Sequence, residues 1–206
     1  IESSENKRHT WSGKPGREAE KIFAQTYPAI HAWFQGFRDK LIKRDDQGTY
    51  FWELRSCKYW KEFDETQIVW GNLATEPKFA IAEAGFHICA PANLIVSGSS
   101  YLLGILNSRV TQYLVSQSAA ERQGGFVEFK PMYISPLAIP EQPANERISG
   151  LVDQILAITK DEDYLFNAAK HSKVKELERQ IDGMVYELYG LTGEEIAVVE
   201  GDSEHR

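Results

Sequence analysis

Between residues 28 and 44, apolar positions recur every three or four residues, which is the spacing of one helix face. Pro28 suits the first turn of a helix, because an N–H group has no intrahelical partner there. The polar run 45–48 (DDQG) ends the pattern. The pattern therefore predicts a helix over 28–44 with the apolar positions Ile30, Trp33, Phe34, Phe37 and Leu41.

The middle of the chain alternates short apolar runs with Gly and Pro. Runs of this length between turn residues predict strands, here QIVWG (67–71), KFAIAE (78–83), FHICA (86–90), NLIVSG (93–98) and GGFVEF (124–129). Residues 99–117 (SSYLLGILNSRVTQYLVSQ) return to helical spacing, with Ser99 or Ser100 as the N-cap. This region predicts a small mixed sheet with one or two inserted helices.

The last third of the chain has helical periodicity. Residues 145–159 carry one apolar face, and a second face over 174–188 ends at Gly190, a typical helix stop. Thr192 and Glu195 have the spacing of a capping box, which predicts a last short helix.

These elements predict an α+β protein with an N-terminal helix, a small mixed β-sheet core with inserted helices, and a C-terminal helical arm. We expect three parts: a flexible or loosely attached segment over 1–26, a mixed α/β core over 27–140, and a helical region with an acidic tail over 141–206.

Composition limits the class of protein. No apolar run is long enough to cross a membrane, and the polar N-terminus is not a signal peptide. Cys57 and Cys89 form neither a disulfide framework nor a zinc pattern, which favours reduced thiols and a cytoplasmic location. The missing initiator Met suggests a fragment of a longer protein.

The charge is unevenly distributed along the chain. The net charge of −7 argues against a nucleic-acid partner. However, residues 141–206 hold 7 Lys or Arg against 15 Asp or Glu, whereas residues 29–61 hold 7 against 4. The cationic bias therefore lies in the N-terminal part.

One stretch in that part, YFWELRSCKYWKEF (50–63), places rings and cations side by side. Its first residues alternate, which predicts that Tyr50, Trp52 and Leu54 face one way while Phe51, Glu53 and Arg55 face the other. Two interpretations remain open. The rings form a core with the cations at its rim, or the cations touch phosphates and guanine edges while a ring supports the DNA.

No complete catalytic or phosphate-binding motif is present. VEFK (127–130) supplies the Glu-x-Lys half of a metal-dependent nuclease site, Glu128 and Lys130, without a convincing acidic partner upstream. An ordinary strand explains it better.

Four blocks of the sequence resemble the TaqI-like C-terminal specificity domain of adenine-N6 DNA methyltransferases and fused restriction–modification enzymes. They are LIKRDDQGTYFWELRSCKYWKEFDETQIVWGNLA (41–74), YLLGILNSRVTQYLV (101–115), GGFVEFKPMYISPLAIPEQ (124–142) and LERQIDGMVYELYGLTGEEIAVVEG (177–201). The family commonly has Lys where this chain has Gln67.

The resemblance implies that this chain reads DNA while a separate domain performs the chemistry. The parent would be a bacterial type II restriction enzyme or site-specific adenine-N6 methyltransferase. Its catalytic domain would bind S-adenosylmethionine, and Mg²⁺ if it also cleaves DNA, and would hold the flipped adenine. We expect no catalytic residue, no metal and no cofactor in this chain. Its expected partners are double-stranded DNA and that catalytic domain.

The candidate DNA contacts combine cations for phosphate and guanine, Gln for adenine, and one ring. They are Arg44, Gln47, Arg55, Lys58, Tyr59, Lys61, Arg122, Gln123 and Lys130. Gly124 and Gly125 would let the backbone approach DNA closely. Two alternatives remain: a protein-interaction module that docks a catalytic subunit through its helical arm, and a nuclease that uses Glu128 and Lys130.

Overall fold

A computed structural model describes residues 1–141 and 145–201. The chain divides into two compact units, the N-terminal unit Ile1–Lys61 and the C-terminal unit Glu62–Arg206. Helices and small antiparallel sheets together confirm the predicted α+β class. Within the described ranges, no helix is long and apolar enough to cross a membrane.

Three helices in the N-terminal unit surround a cluster of aromatic rings. They are α1 (Gly16–Thr26), α2 (Pro28–Gln35) and α3 (Arg38–Ile42). The single helix expected over 28–44 is therefore broken at Gly36 and Phe37. Pro28 does occupy the first turn of α2, as predicted. Trp33 is 68% exposed, so the predicted apolar stripe is only partly buried.

The core of the N-terminal unit is a stack of rings. Trp52 lies parallel to Phe23, with 4.9 Å between ring centroids, and parallel to Tyr50 at 4.8 Å. Trp11 and Phe51 meet Trp52 edge to face. This geometry is favourable for aromatic pairs, and it places the first rings of the 50–63 stretch inside the unit.

The alternation predicted for residues 50–55 is wrong. Tyr50, Phe51, Trp52 and Glu53 are all buried, and Leu54 is exposed. The segment is a turn in which the Glu53 N–H donates to the Tyr50 carbonyl. Because a turn does not alternate its side chains between two faces, four successive residues point inward.

The loose N-terminal segment expected over 1–26 also differs from the structure. Trp11, Ala19 and Phe23 are buried in the same ring cluster, and the Leu54 N–H donates to the Ile1 carbonyl. The division of the chain falls after Lys61 rather than at the boundaries expected after residues 26 and 140. Residues 142–144, next to the second boundary, and the tail 202–206 lie outside the described residues.

Two three-stranded antiparallel sheets occur in the C-terminal unit, in the orders β3-β1-β4 and β2-β6-β5. Their strands are β1 (Gln67–Gly71), β2 (Leu73–Ala74), β3 (Ala80–Ala82), β4 (Ala92–Val96), β5 (Glu121–Arg122) and β6 (Phe126–Glu128). The strand predicted over 86–90 is absent. Gly85 turns the chain there with φ of +92°, and Phe86 is exposed.

The helix predicted over 99–117 is two helices, α4 (Ser100–Leu106) and α5 (Arg109–Ser118). Ser99 caps α4 as expected, and Ser108 caps α5. Between them, the Asn107 amide accepts from the Phe79 N–H at 2.9 Å and donates to the Phe79 carbonyl at 3.0 Å. The break itself lies at Ser108, whose extended backbone (φ −75°, ψ 161°) ends the first helix and caps the second, and Asn107 beside it pairs with the backbone of Phe79.

The C-terminal helices agree well with the sequence. They are α7 (Asn145–Thr159), α8 (Ala168–Tyr189) and α9 (Gly193–Glu200), and a short α6 (Pro131–Ile134) precedes them. Gly190 ends α8 in the left-handed conformation, and Thr192 and Glu195 form the predicted capping box. Gly104 lets α4 approach α7 closely, because a Cβ there would lie 2.8 Å from a methyl group of Ile148.

Candidate functional site

A loop in the N-terminal unit is organised around the buried carboxylate of Glu53. This side chain has no exposed surface. It accepts a hydrogen bond from Trp11 Nε1 at 2.8 Å, from Ser4 Oγ at 3.2 Å and from the Tyr50 N–H at 3.4 Å. A buried carboxylate is costly unless such donors surround it. Glu53 therefore fixes the loop that contains the predicted contacts Arg44 and Gln47 and that precedes the exposed segment 55–61.

Arg44 and Gln47 are half-buried inside this loop. Arg44 donates to the Glu53 carbonyl, and Gln47 donates to the Ile42 carbonyl at 3.2 Å. Gly48 packs against Glu53 so closely that a Cβ would lie 2.7 Å from its Oε2. The polar atoms of Arg44 and Gln47 thus support the shape of the loop.

The other predicted contacts of this unit are exposed. Arg55 makes a loose ion pair with Asp46 at 3.6 Å, and both side chains are largely exposed, so the pair restrains Arg55 weakly. Lys58 and Tyr59 follow on the surface. Lys61 Nζ lies 5.7 Å from the centroid of the Trp60 ring. These side chains place cations beside rings on one short segment.

Trp60 also receives Arg8, whose guanidinium carbon lies 4.5 Å from the ring centroid. Sequence patterns miss Arg8, because it belongs to a polar segment about fifty residues upstream of its ring partner. A cation at this distance from an indole ring is attracted by its electron-rich face. Arg8, from the first residues of the chain, therefore adds a cation beside the exposed segment 55–61.

Elsewhere in the N-terminal unit, Glu20 on α1 joins α1 to α2 and α3. Arg38 donates to both carboxylate oxygens of Glu20, and His31 and Gln35 lie within hydrogen-bonding distance of Oε1. The hydrogen bonds from Arg38 are the main reason that the pKa of Glu20 falls to about 2. The Arg38 guanidinium also lies over Phe51, 4.3 Å from its centroid.

In the C-terminal unit, the predicted contacts lie on the hairpin formed by β5 and β6. Residues Gln123–Gly125 connect the strands and are exposed, and Gly124 and Gly125 have φ of +85° and +75°. Such φ values favour glycine. Phe126 is also partly exposed beside the turn. Gln123 therefore stands at the tip of a narrow β-ribbon.

The base of this hairpin holds a buried acid between two cations. Glu128 Oε1 accepts from Arg122 Nε at 2.9 Å and Nη2 at 2.5 Å, and Glu128 Oε2 lies 2.7 Å from Lys130 Nζ. The Glu128 side chain is 8% exposed, whereas Arg122 and Lys130 are 58% and 42% exposed. Hydrogen bonds from Lys130 and then Arg122 lower the pKa of Glu128. We call these three residues the Glu128 cluster.

The backbone around Glu128 is fixed by buried contacts. The Phe129 N–H donates to the Asn72 carbonyl at 2.8 Å, and Trp70 Nε1 donates to the Phe129 carbonyl at 2.6 Å. Glu128 also pairs with Leu73 across the sheet. The carboxylate therefore holds a fixed position, and the two cations follow it.

The sequence offered Glu128 and Lys130 as half of a nuclease site. In the structure, both carboxylate oxygens of Glu128 are occupied by cations. Among residues 1–141 and 145–201, no three His, Cys, Asp or Glu side chains are grouped so that they could hold a metal ion. The sequence does not indicate that Arg122 pairs with Glu128, although it predicts that Glu128 lies in a strand.

The family described as the TaqI-like C-terminal specificity domain matches residues 20–139 of the chain. This range includes the Glu53 loop, the exposed segment after it and the Glu128 cluster. No curated protein matches the sequence.

Proposed function

Because the chain belongs to the TaqI-like C-terminal specificity domain family, it is a target-recognition domain of restriction–modification enzymes, and we propose that it binds duplex DNA and positions it for adenine-N6 methylation by a separate catalytic domain. The observation that carries this proposal is the Glu128 cluster, in which a buried acid holds two exposed cations, and the exposed cations that follow the Glu53 loop agree with it.

The exposed segment of the N-terminal unit would supply one part of the interface. Lys58 and Lys61 suit phosphate oxygens, and Arg55 has free donors for phosphate or for a guanine edge. Tyr59, 53% exposed, can pack against a sugar or a base. Arg44 and Gln47, also predicted contacts, would act mainly by holding the loop in shape.

The β5–β6 hairpin would supply the other part. Its strands belong to the three-stranded sheet β2-β6-β5, so the turn that projects from this sheet is the part that would enter the major groove of B-DNA. Gln123 at its tip has an amide that can pair with adenine, and the two glycines beside it keep the backbone narrow. Arg122 and Lys130 at its base would meet the phosphate backbone.

The chemistry would belong to the catalytic domain. S-adenosylmethionine supplies the methyl group there, and Mg²⁺ would serve a parent that also cleaves DNA. We propose that this chain selects the site and supplies no catalytic residue.

Fluorescence anisotropy with labelled duplexes of mixed sequence tests DNA binding. The affinity should fall as salt rises, because binding releases counterions from the duplex. Arg122→Ala and Lys58→Ala should weaken binding. Lys173→Ala removes an equal charge from an exposed site on α8 and should have little effect. If Arg122→Ala and Lys58→Ala both bind as tightly as the Lys173→Ala control, the proposed surface is wrong.

A second candidate function is docking of a catalytic subunit by the helical arm. It is favoured by Leu165 and Phe166 in the turn between α7 and α8, which are 73% and 90% exposed. Lys170 holds this turn by contacts with Asp161 and Asp163. The adjacent acids disfavour DNA as the partner here. This function alone predicts no salt-dependent DNA binding, so the same anisotropy series separates the two.

A further inference from the structure

The Glu128 cluster carries one more positive charge than negative, and its charges have fixed positions. Arg122 uses two N–H groups on Glu128, and Lys130 uses one. Their remaining donors have no partner in the part of the chain that the structure describes. Both cationic side chains are about half exposed, whereas the acid between them is buried. The unused donors are therefore available to an anion from solvent.

We propose that Glu128 holds Arg122 and Lys130 as a single binding site for one phosphate group of the DNA backbone. This inference rests on the proposed function, since it names the ligand of one part of that interface. Glu128 is a positioning residue: it touches the two cations and stays out of contact with DNA.

A phosphate is the ligand that fits this arrangement. A guanidinium and an ammonium bound to the two oxygens of one carboxylate offer several charged donors to the oxygens of one tetrahedral anion. Long side chains normally lose rotational freedom when they bind, and an acid that already orders them reduces this loss. A base edge would need one planar partner, and Lys130 cannot provide it.

Replacing the acid separates positioning from simple electrostatics. Glu128→Gln raises the net charge by one, so attraction to DNA through charge alone would strengthen binding. If Glu128 positions the cations, the same change weakens binding, by about 3- to 10-fold in Kd. Glu121→Gln is the matched control, because it removes an acid from an exposed position on the same hairpin. That variant should bind as tightly as the unchanged chain or slightly more tightly.

A second measurement does not depend on how well the Glu128 variant folds. If Arg122 and Lys130 share one phosphate, Arg122→Ala combined with Lys130→Ala should weaken binding little more than the stronger single substitution. The slope of log K against log salt should become shallower by about one for the pair, since about one counterion contact is lost. Two separate phosphate sites would give additive losses and a change of about two.

Circular dichroism melting of each variant establishes whether it is folded at the binding temperature. The inference is overturned if folded Glu128→Gln binds as tightly as Glu121→Gln, or if the Arg122 and Lys130 losses add. If Glu128→Gln is unfolded, the Arg122 and Lys130 series decides alone. Absence of salt-dependent binding by the unchanged chain would instead refute the proposed function itself.

Discussion

Acidic side chains are centres of hydrogen bonding in this protein, and two of them, Glu20 and Glu128, hold cations. Glu20, Glu53 and Glu128 each accept several hydrogen bonds, and all of them have little exposed surface. The partners of Glu53 come from distant parts of the sequence, as with Trp11, whereas Arg122 and Lys130 lie close to Glu128 along the chain. An acidic chain can therefore still present ordered cations to DNA.

Glu20 should make the stability of the chain depend on pH. Hydrogen bonds from Arg38 lower its pKa from the usual 4.5 to about 2. The stabilisation is fully present above pH 4.5, and it is lost as the pH falls from about 4.5 to 2, because the unfolded chain then binds the proton more readily. Since Arg38 is more than a third exposed, we expect only about 1–2 kcal/mol.

Urea unfolding at pH 7 and pH 3 measures this effect. Glu20→Gln should lower the free energy of unfolding at pH 7 and should reduce the difference between the two pH values. Glu18→Gln on the same helix is the control, because Glu18 has only an exposed partner, Lys14. An equal pH dependence in both variants would contradict the role of Glu20.

Arg55 should affect the choice of DNA sequence. Arg55→Ala should lose about 1–3 kcal/mol of discrimination if the guanidinium meets a guanine edge. Competition with duplexes of different sequence measures this. Lys21→Ala, on α1, removes a charge outside the predicted contacts. If Arg55→Ala weakens binding to all sequences equally, Arg55 contacts phosphate only.

The positions of the helices and strands depend partly on local sequence pattern and partly on contacts with distant residues. The sequence predicted α7, the core of α8 and the capping box of α9, because each depends on neighbours within a few residues. It did not predict the contacts of Asn107, beside the break between α4 and α5, with the distant backbone of Phe79.

The candidate site follows the same rule. The sequence located the exposed cations of the 50–63 stretch, since composition alone indicates them. It missed the turn at Tyr50–Glu53, because a buried carboxylate with partners on Ser4 and Trp11 reverses the expected alternation. Arg8 and the pairing of Glu128 with Arg122 also depend on contacts that form only in the folded chain.

Gly104 should be required for the packing of α4 against α7. Gly104→Ala would place a Cβ 2.8 Å from Ile148 Cγ2 and 3.0 Å from Val152 Cγ2. We expect this overpacking to cost about 1–3 kcal/mol of unfolding free energy. Gly183→Ala on α8 is the matched control, since its Cβ would meet open space. That variant should gain about 0.5–1 kcal/mol from helix propensity.

Urea denaturation with circular dichroism detection gives both values. Equal stability of the Gly104 and Gly183 variants would mean that Ile148 and Val152 move aside at no cost.

The charge of the molecule is divided unequally between the two units. The N-terminal unit holds 12 Lys or Arg and 8 Asp or Glu, a balance of +4. The C-terminal unit holds 11 and 22, a balance of −11. The net charge of −7 therefore describes neither unit. In the C-terminal unit, DNA contact would have to be local, as at the Glu128 cluster, because the unit as a whole repels phosphate.

The slope of log K against log salt should follow the number of local phosphate contacts more closely than the net charge of the chain. The proposed cations are Arg55, Lys58, Lys61, Arg122 and Lys130. If Arg122 and Lys130 share a phosphate, these cations meet about four phosphates, and the slope of log K against log salt should be roughly −3 to −4. Lys58→Ala should make the slope shallower by about one.

Removing acidic residues from α8 and α9 tests the effect of net charge without changing the proposed contacts. Glu176, Glu187 and Glu194 are each replaced by Gln, which changes the net charge from −7 to −4. Weaker repulsion should tighten binding at low salt for every sequence, and screening should remove the gain at high salt. The number of phosphate contacts is unchanged, so the slope should change by less than it does in Lys58→Ala. If the arm variant instead steepens the slope by one or more, the arm contacts DNA and the interface is larger than the surface proposed here.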